Sequence, residues 1–282
     1  MEIVVGKLAG FCPGVTNTVN KAKEALEKNE IVYCLGEIVH NGQVVKSLEQ
    51  MGMITVENIE DVPDNSKVIF RAHGEAKTIY EKAKNRGIEI IDLTCGKVKL
   101  IHDKVEKASK DSFVIILGKK KHPEVIGTKG FIEKSGYVIE NEDDILDAYM
   151  EFEKTDFSKV YIVAQTTISS KYFDELAEEV EKNFYEADVI VDKTVCLATE
   201  KRQEEVLKMS QELNTMIIIG GKNSSNTKEL AKIAEKNCGK VYLVETVDEL
   251  KDVDFSNDDK IGIMAGASTP KESIEEIEKY LN

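Results

Sequence analysis

The residues best suited to chemistry in this 282-residue chain sit in short polar strings, each directly behind an apolar run. The densest is GKKKHPEVIGT, Gly118 to Thr128, which follows FVIIL and so falls where a buried strand ends and its loop begins. There His122 can offer an imidazole to an anion, Pro123 fixes the turn, and Glu124 sets a carboxyl where it can handle protons. His40 in VHN and His73 in AHG also stand at strand ends, so three of the four histidines share this placement. His102, inside a helical stretch, reads as a surface or packing residue. In the last third the corresponding loops carry Ser224, Ser225 and Asn226, then Ser268. Imidazoles, hydroxyls and an amide, with no dedicated Arg or Lys, make a neutral to weakly basic anion site of the kind that suits phosphate oxygens.

Cys12, Cys95 and Cys196 form a second set. Each stands between an apolar strand and a helix, where the helix dipole favours bound negative charge. They are 83 and 101 residues apart, and 98 when counted through the termini, so each third of the chain supplies one. None belongs to a C-x-x-C pair of the zinc-ribbon kind. Three soft ligands in equivalent positions point to zinc or an iron-sulfur cluster, with one metal position open to substrate. Cys34, within IVYCLG, reads as a core residue and Cys238 as a turn residue ahead of a strand; neither repeats.

The elements that must position these residues follow one grammar, repeated. Apolar strands alternate with helices of amphipathic spacing such as NGQVVKSLEQMG, TIYEKAKNRG and PKESIEEIEKYL, which predicts an α/β fold with largely parallel sheets. Ligand crevices in such sheets lie at the carboxyl ends of the strands, where all the polar strings fall. The last unit lacks a third segment of the strand-cysteine-helix kind, and IVVGKLAGFCPGV at the other terminus supplies it. The expectation is three pseudo-equivalent α/β lobes, 13–96, 97–193 and 194–282, the third completed by segment 1–12.

The balance of 38 basic against 52 acidic residues, a net charge of -14, disfavours binding to nucleic acid or an anionic membrane surface. The short basic run Lys119 to Lys121 reads as a solvated loop edge or a docking point for an acidic partner. The acidic stretches Glu140 to Asp147 and Asp248 to Asp259 read as solvated helices and loops. The first residues lack the pattern of a signal peptide, no apolar run approaches a membrane span, and five dispersed cysteines suit a reducing compartment, so a soluble, cytoplasmic protein is expected.

The strings GFCPGV, VHN, RAHG, D-x-TC, HPEV-x-GT, QTT, C-x-AT with RQ close behind, KNSSNT and AGAS occur in that order. In this the whole chain resembles the 4-hydroxy-3-methylbut-2-enyl diphosphate reductase family, iron-sulfur enzymes of the non-mevalonate isoprenoid pathway. The resemblance implies three lobes around a central 4Fe-4S cluster, with Cys12, Cys95 and Cys196 as its ligands and one iron open to the C4 oxygen of the substrate. It also implies that His40, His73, His122, Ser224, Ser225, Asn226 and Ser268 bind a diphosphate, that Glu124 donates protons, and that Thr166 and Thr199 place hydroxyls near the substrate alcohol. The implied reaction is reductive dehydroxylation of (E)-4-hydroxy-3-methylbut-2-enyl diphosphate to isopentenyl and dimethylallyl diphosphate. Two electrons from a ferredoxin or flavodoxin and two protons are consumed, and water is released. The chain departs from the family pattern at Gly96, where proline is common and glycine predicts a looser helix start, at Lys120 and Lys121, and at Lys201. Two further classes fit parts of the same residues: a non-catalytic iron-sulfur sensor or carrier, and a metal-dependent phosphate-ester hydrolase. The first would not need Glu124 and the anion set, and the second wants a carboxylate-rich metal site.

Overall fold

The computed structural model describes residues 1–28 and 31–282, and among these twelve strands form three parallel four-stranded sheets. In chain order the first elements are β1 (Glu2–Val5), α1 (Pro13–Lys28), β2 (Val32–Leu35), α2 (Gly42–Gln50), β3 (Met53–Val56), β4 (Lys67–Phe70), α3 (Lys77–Asn85) and β5 (Glu89–Asp92). Next come α4 (Gly96–Ala108), β6 (Phe113–Leu117), α5 (Pro123–Lys129), β7 (Gly136–Ile139), α6 (Asp144–Phe152), β8 (Lys159–Ala164), α7 (Ser170–Asn183) and β9 (Asp188–Val191). The last are α8 (Leu197–Glu212), β10 (Thr215–Ile219), α9 (Ser225–Glu235), β11 (Lys240–Val244), β12 (Lys260–Ala265) and α10 (Lys271–Leu281).

The three sheets share one strand order: β3-β2-β4-β5, β7-β6-β8-β9 and β11-β10-β12-β1. The fourth strand of the third sheet is the N-terminal strand, with Glu2 to Val5 in register against Lys260 to Ile263. Central strands explain the unbroken apolar runs of the sequence: every residue of β6 and β10 is buried, because a parallel strand covered on both faces has no solvent side to alternate with. Each such side chain contributes about 1.5–3 kcal/mol when withdrawn from water. The edge strands β1, β5 and β9 are largely exposed or half-buried.

In all three sheets the chain moves outward from the first strand to the second, then crosses back to the third. The order therefore reverses between β2 and β4, between β6 and β8, and between β10 and β12, and the carboxyl ends of those pairs are the places where an open parallel sheet forms a crevice.

The chain divides into two compact units. One comprises residues 1–20, 39–51 and 197–282, and contains the third sheet, α2, α8, α9 and α10. Its core runs from Ile217, Ile219, Ile261 and Ile263 to Ile277 and Leu281. The other comprises residues 21–38 and 52–196 and contains the first two sheets. The aromatic core of the second sheet joins Phe113, Phe152, Phe173 and Phe184, and it ends at Val195, the residue before Cys196. Helix α4 packs over β6 and β8. It starts at Gly96 with Cys95 as its cap, and Lys99 N donates to Cys95 O at 3.0 Å, so the glycine leaves the helix start closed. Among the described residues no helix is long and apolar enough to cross a membrane.

Candidate active site

In the unit of residues 21–38 and 52–196, the loops after β4, β6 and β8 carry His73, His122 and Thr166, and Glu124 stands in the first turn of α5, directly behind His122 and Pro123. Glu124 is 3 % exposed, and its carboxyl is held by one residue: Thr166 N donates to Oε1 at 2.6 Å and Thr166 Oγ1 to Oε2 at 2.8 Å. Burial pushes the Glu124 pKa up to about 7 while the two Thr166 hydrogen bonds pull the other way. A carboxyl tuned to neutrality and fixed in direction is suited to giving up a proton at physiological pH.

His122 caps α5, and its Nδ1 accepts from Glu124 N at 3.2 Å. That bond makes Nδ1 the acceptor and leaves the Nε2 hydrogen of a neutral ring as a donor. The rings of His73 and His122 meet edge to face with centroids 5.4 Å apart. His73 sits in a loop braced from both sides. Arg71 Nε donates to Glu75 Oε1 at 3.0 Å, and Gly74 adopts φ +75 with no room for a side chain, since a Cβ would lie 2.5 Å from His102 Cε1. His102 is therefore a packing residue. It is buried, stacked on Phe131 at 4.2 Å, and kept neutral by burial that pushes its pKa down to about 4. Gln165, to which the sequence reading gave no role, is buried and ties the two loops of the second sheet: its Oε1 accepts from Lys119 N at 3.1 Å. Lys120 is engaged within its own lobe, pairing with Asp144 and lying 5.6 Å from the Tyr137 ring centroid, while Lys121 is exposed.

In the unit of residues 1–20, 39–51 and 197–282, Ser224 stands directly before α9, Ser225 and Asn226 open its first turn and Ser268 lies in the loop after β12, while His40 lies just before α2, beyond the strand end where the sequence placed it. Ser268 Oγ donates to His40 O at 3.1 Å, which ties two of them. Ser224 caps α9, its Oγ accepting from Thr227 N at 3.3 Å, so its hydroxyl hydrogen remains available to donate. Asn226 is 3 % exposed, and neither its amide nitrogen nor its amide oxygen has a hydrogen-bond partner. A buried amide left so is costly, and a polar ligand at this helix start would satisfy it. Thr199 lies buried in the first turn of α8.

The cysteines fall into two chemical groups. Cys34 and Cys238 are buried and act as thiol donors, to Gly36 O at 3.2 Å and to Leu213 O at 3.4 Å. Cys12, Cys95 and Cys196 are half-buried, follow the edge strands β1, β5 and β9, and stand at helix starts. Their backbones are held alike. Cys12 N donates to Ala267 O at 3.1 Å, Cys95 N to Ala72 O at 3.0 Å and Cys196 N to Thr166 O at 3.0 Å, each acceptor lying two residues beyond the neighbouring strand. At Cys12 the sulfur itself accepts, from Val15 N at 3.4 Å, as a ligand thiolate does. Undistorted helix starts, partly open sulfurs and an N–H···S bond fit metal-bound thiolates better than core thiols.

A profile of the LytB protein family matches residues 3–282. The 4-hydroxy-3-methylbut-2-enyl diphosphate reductase of Caldanaerobacter subterraneus is 40 % identical over 282 residues, covering 98 % of this chain and 95 % of its own. That of Clostridioides difficile is 39 % identical over 284 residues, covering 100 % and 99 %. Among solved structures, the E-1-hydroxy-2-methyl-but-2-enyl-4-diphosphate reductase of Plasmodium falciparum superposes with a TM-score of 0.90 at 30 % identity, over 99 % of this chain and 87 % of that one. A second, of (E)-4-hydroxy-3-methyl-but-2-enyl diphosphate reductase, the terminal enzyme of the non-mevalonate pathway, superposes with a TM-score of 0.72 at 38 % identity, over 99 % and 98 %. With the cysteines and switch-point loops carried on a shared fold and sequence from end to end, the chain belongs to the LytB family.

Proposed function

We propose that this chain catalyses the reductive dehydroxylation of (E)-4-hydroxy-3-methylbut-2-enyl diphosphate to isopentenyl and dimethylallyl diphosphate, the last step of the non-mevalonate pathway. The observation that carries this reading is the buried Glu124 carboxyl, brought to neutrality and aimed by Thr166. A sensor or electron carrier has no use for such a group.

In this reading Cys12, Cys95 and Cys196 hold a 4Fe-4S cluster with one open iron, which would supply electrons one at a time and a Lewis acid for the departing C4 oxygen. The chain's own residues do the rest. His122 offers Nε2–H to a diphosphate oxygen, and His40, His73, Ser224, Ser225, Asn226 and Ser268 complete the donor set. Fixing the diphosphate orients the allylic alcohol without consuming it. The Thr166 hydroxyl fixes Glu124, which gives a proton toward the leaving oxygen, so that oxygen departs as water. A second proton and two electrons then complete either product. Lobe boundaries at 13–96, 97–193 and 194–282 with 1–12 belong to the same proposal, supported by the shared strand order. So do cytoplasmic placement and a ferredoxin or flavodoxin as donor, for which exposed Lys121 offers one positive contact.

The test is iron, acid-labile sulfide and zinc in anaerobically purified protein, together with turnover of the allylic diphosphate by a reduced viologen. About four irons and four sulfides per chain, lost in Cys95→Ser, with turnover, is the expected result. Zinc or no metal after anaerobic reconstitution would overturn the proposal.

A further inference from the structure

The segment between edge strand and cysteine differs in length among the three sheets. Two residues separate β5 from Cys95, four separate β9 from Cys196, and six, Gly6 to Phe11, separate β1 from Cys12. The shortest segment is braced within itself, and the middle one mainly by its neighbouring strand β8, with Lys104 of α4 donating to Asp192 Oδ2 at 2.7 Å. Thr94 N donates to Asp92 Oδ1 at 3.0 Å, and Thr194 Oγ1 both accepts from Ala164 N at 2.7 Å and donates to Ala164 O at 2.8 Å. The longest segment is braced from outside, by helix α8.

Glu205 receives two consecutive amides of the Cys12 segment, Lys7 N on Oε1 at 2.7 Å and Leu8 N on Oε2 at 2.9 Å. One turn earlier the buried Arg202 donates Nη2 to Gly10 O at 2.7 Å, and its Nη1 returns to Ala198 O at 3.0 Å in its own helix. Its glycines also let the segment lie close against β12 and the loop that follows. A Cβ on Gly6 would stand 2.5 Å from Met264 Sδ, and Gly10 turns at φ +96 with Thr269 O 3.3 Å from where its Cβ would be. All three bonds between the segment and α8 are charge-assisted, the kind that hold geometry best.

We infer that Arg202 and Glu205 are positioning residues for Cys12, so that α8, the helix that begins directly after Cys196, also presets the loop of a second cysteine. The consequence for a cofactor rests on the three-cysteine reading above, but the positioning does not, and the experiment separates them. In the metal-free full-length chain, the alkylation rate of each cysteine by iodoacetamide is followed by peptide mass spectrometry in wild type, Glu205→Ala, Arg202→Lys and the milder Glu205→Gln, with exposed Glu204→Ala as control. Loss of one charge-assisted brace is expected to change the Cys12 rate roughly tenfold, leaving Cys95 and Cys196 at wild-type rates. Arg202→Lys, which keeps the charge but not the fork, falls between wild type and Glu205→Ala. In anaerobically reconstituted protein the same variants should release iron to a chelator faster, in the same rank order. An unchanged Cys12 rate in Glu205→Ala, or all three rates rising together, overturns the inference. If Glu205→Ala does not fold, Glu205→Gln, which retains one of the two amide acceptors, decides by the same criterion. Wild-type protein that takes up no iron defeats the cofactor reading and leaves the alkylation result to stand alone.

Discussion

At the scale of single residues, the proposed reaction rests its acid chemistry on one carboxyl and the threonine that holds it. Removing the acid in Glu124→Gln should lower turnover by roughly 10²–10⁴-fold with little change in substrate affinity, measured by steady-state kinetics. The protonated form is the donor, so the wild-type rate should fall as pH rises through about 7. The stability linkage has the same sign. Because the folded pKa lies above the ordinary carboxyl value of 4.5, the neutral carboxyl's contribution is fully present below that value and is lost as pH climbs through about 7, and denaturation across this window should be flatter in Glu124→Gln. Thr166→Val removes a bond that favours the charged form, so the basic limb should move to higher pH while the rate drops. A limb that stays in place would assign the titration to another group.

At the scale of elements, the strand ends do two jobs at once. His122 caps α5 with Nδ1, and in the proposed reading its Nε2–H also serves the diphosphate. Asparagine is a good cap, but its shorter side chain does not carry its amide donor to the place of Nε2–H, so His122→Asn should hold its melting temperature yet raise KM for the allylic diphosphate roughly tenfold to a hundredfold. His122→Ala should lose about 1 kcal/mol of stability as well. An unchanged KM in the asparagine variant would remove His122 from the anion site. These loops were legible in sequence because each follows an unbroken apolar run whose end is unmistakable, as in FVIIL before Gly118. Cys34 and Cys238 could be set aside because they fall in no repeated position, and the structure gives both carbonyl partners. The brace on the Cys12 segment was not legible: Glu205 meets Lys7 across 198 positions, Arg202 meets Gly10 across 192, and an Arg and a Glu three residues apart on a helix look like a solvated face. Gln165 was missed for the same reason, since its value lies in the loop it faces.

For the whole molecule, surface charge and sheet order decide behaviour. A net charge of -14 predicts retention on an anion exchanger at pH 7, no retention on heparin, and a solubility minimum near the isoelectric point of about 4.9, read by nephelometry across pH. Salt-sensitive binding to heparin would reveal a local basic face that the overall charge conceals. That the N-terminal strand completes the third sheet was readable from the circular repeat, because one end lacks a segment that the other supplies; the strand order and the short edge strands β3 and β7 were not, since those runs are too short and too exposed to stand out. What composition could not supply was which carbonyl each cysteine amide would find.

The pairing of β1 with β12 also sets a timetable for biosynthesis. Cys12 emerges from the ribosome roughly ten to fifty seconds before Ala267, whose carbonyl holds its amide, at ordinary elongation rates of about 5–20 residues per second. For most of that interval it also lacks its helical brace, since Glu205 is made well after Cys12. Of the three loop cysteines, Cys12 thus waits longest for the carbonyl that holds its amide, because Cys95 and Cys196 find theirs in residues made before them.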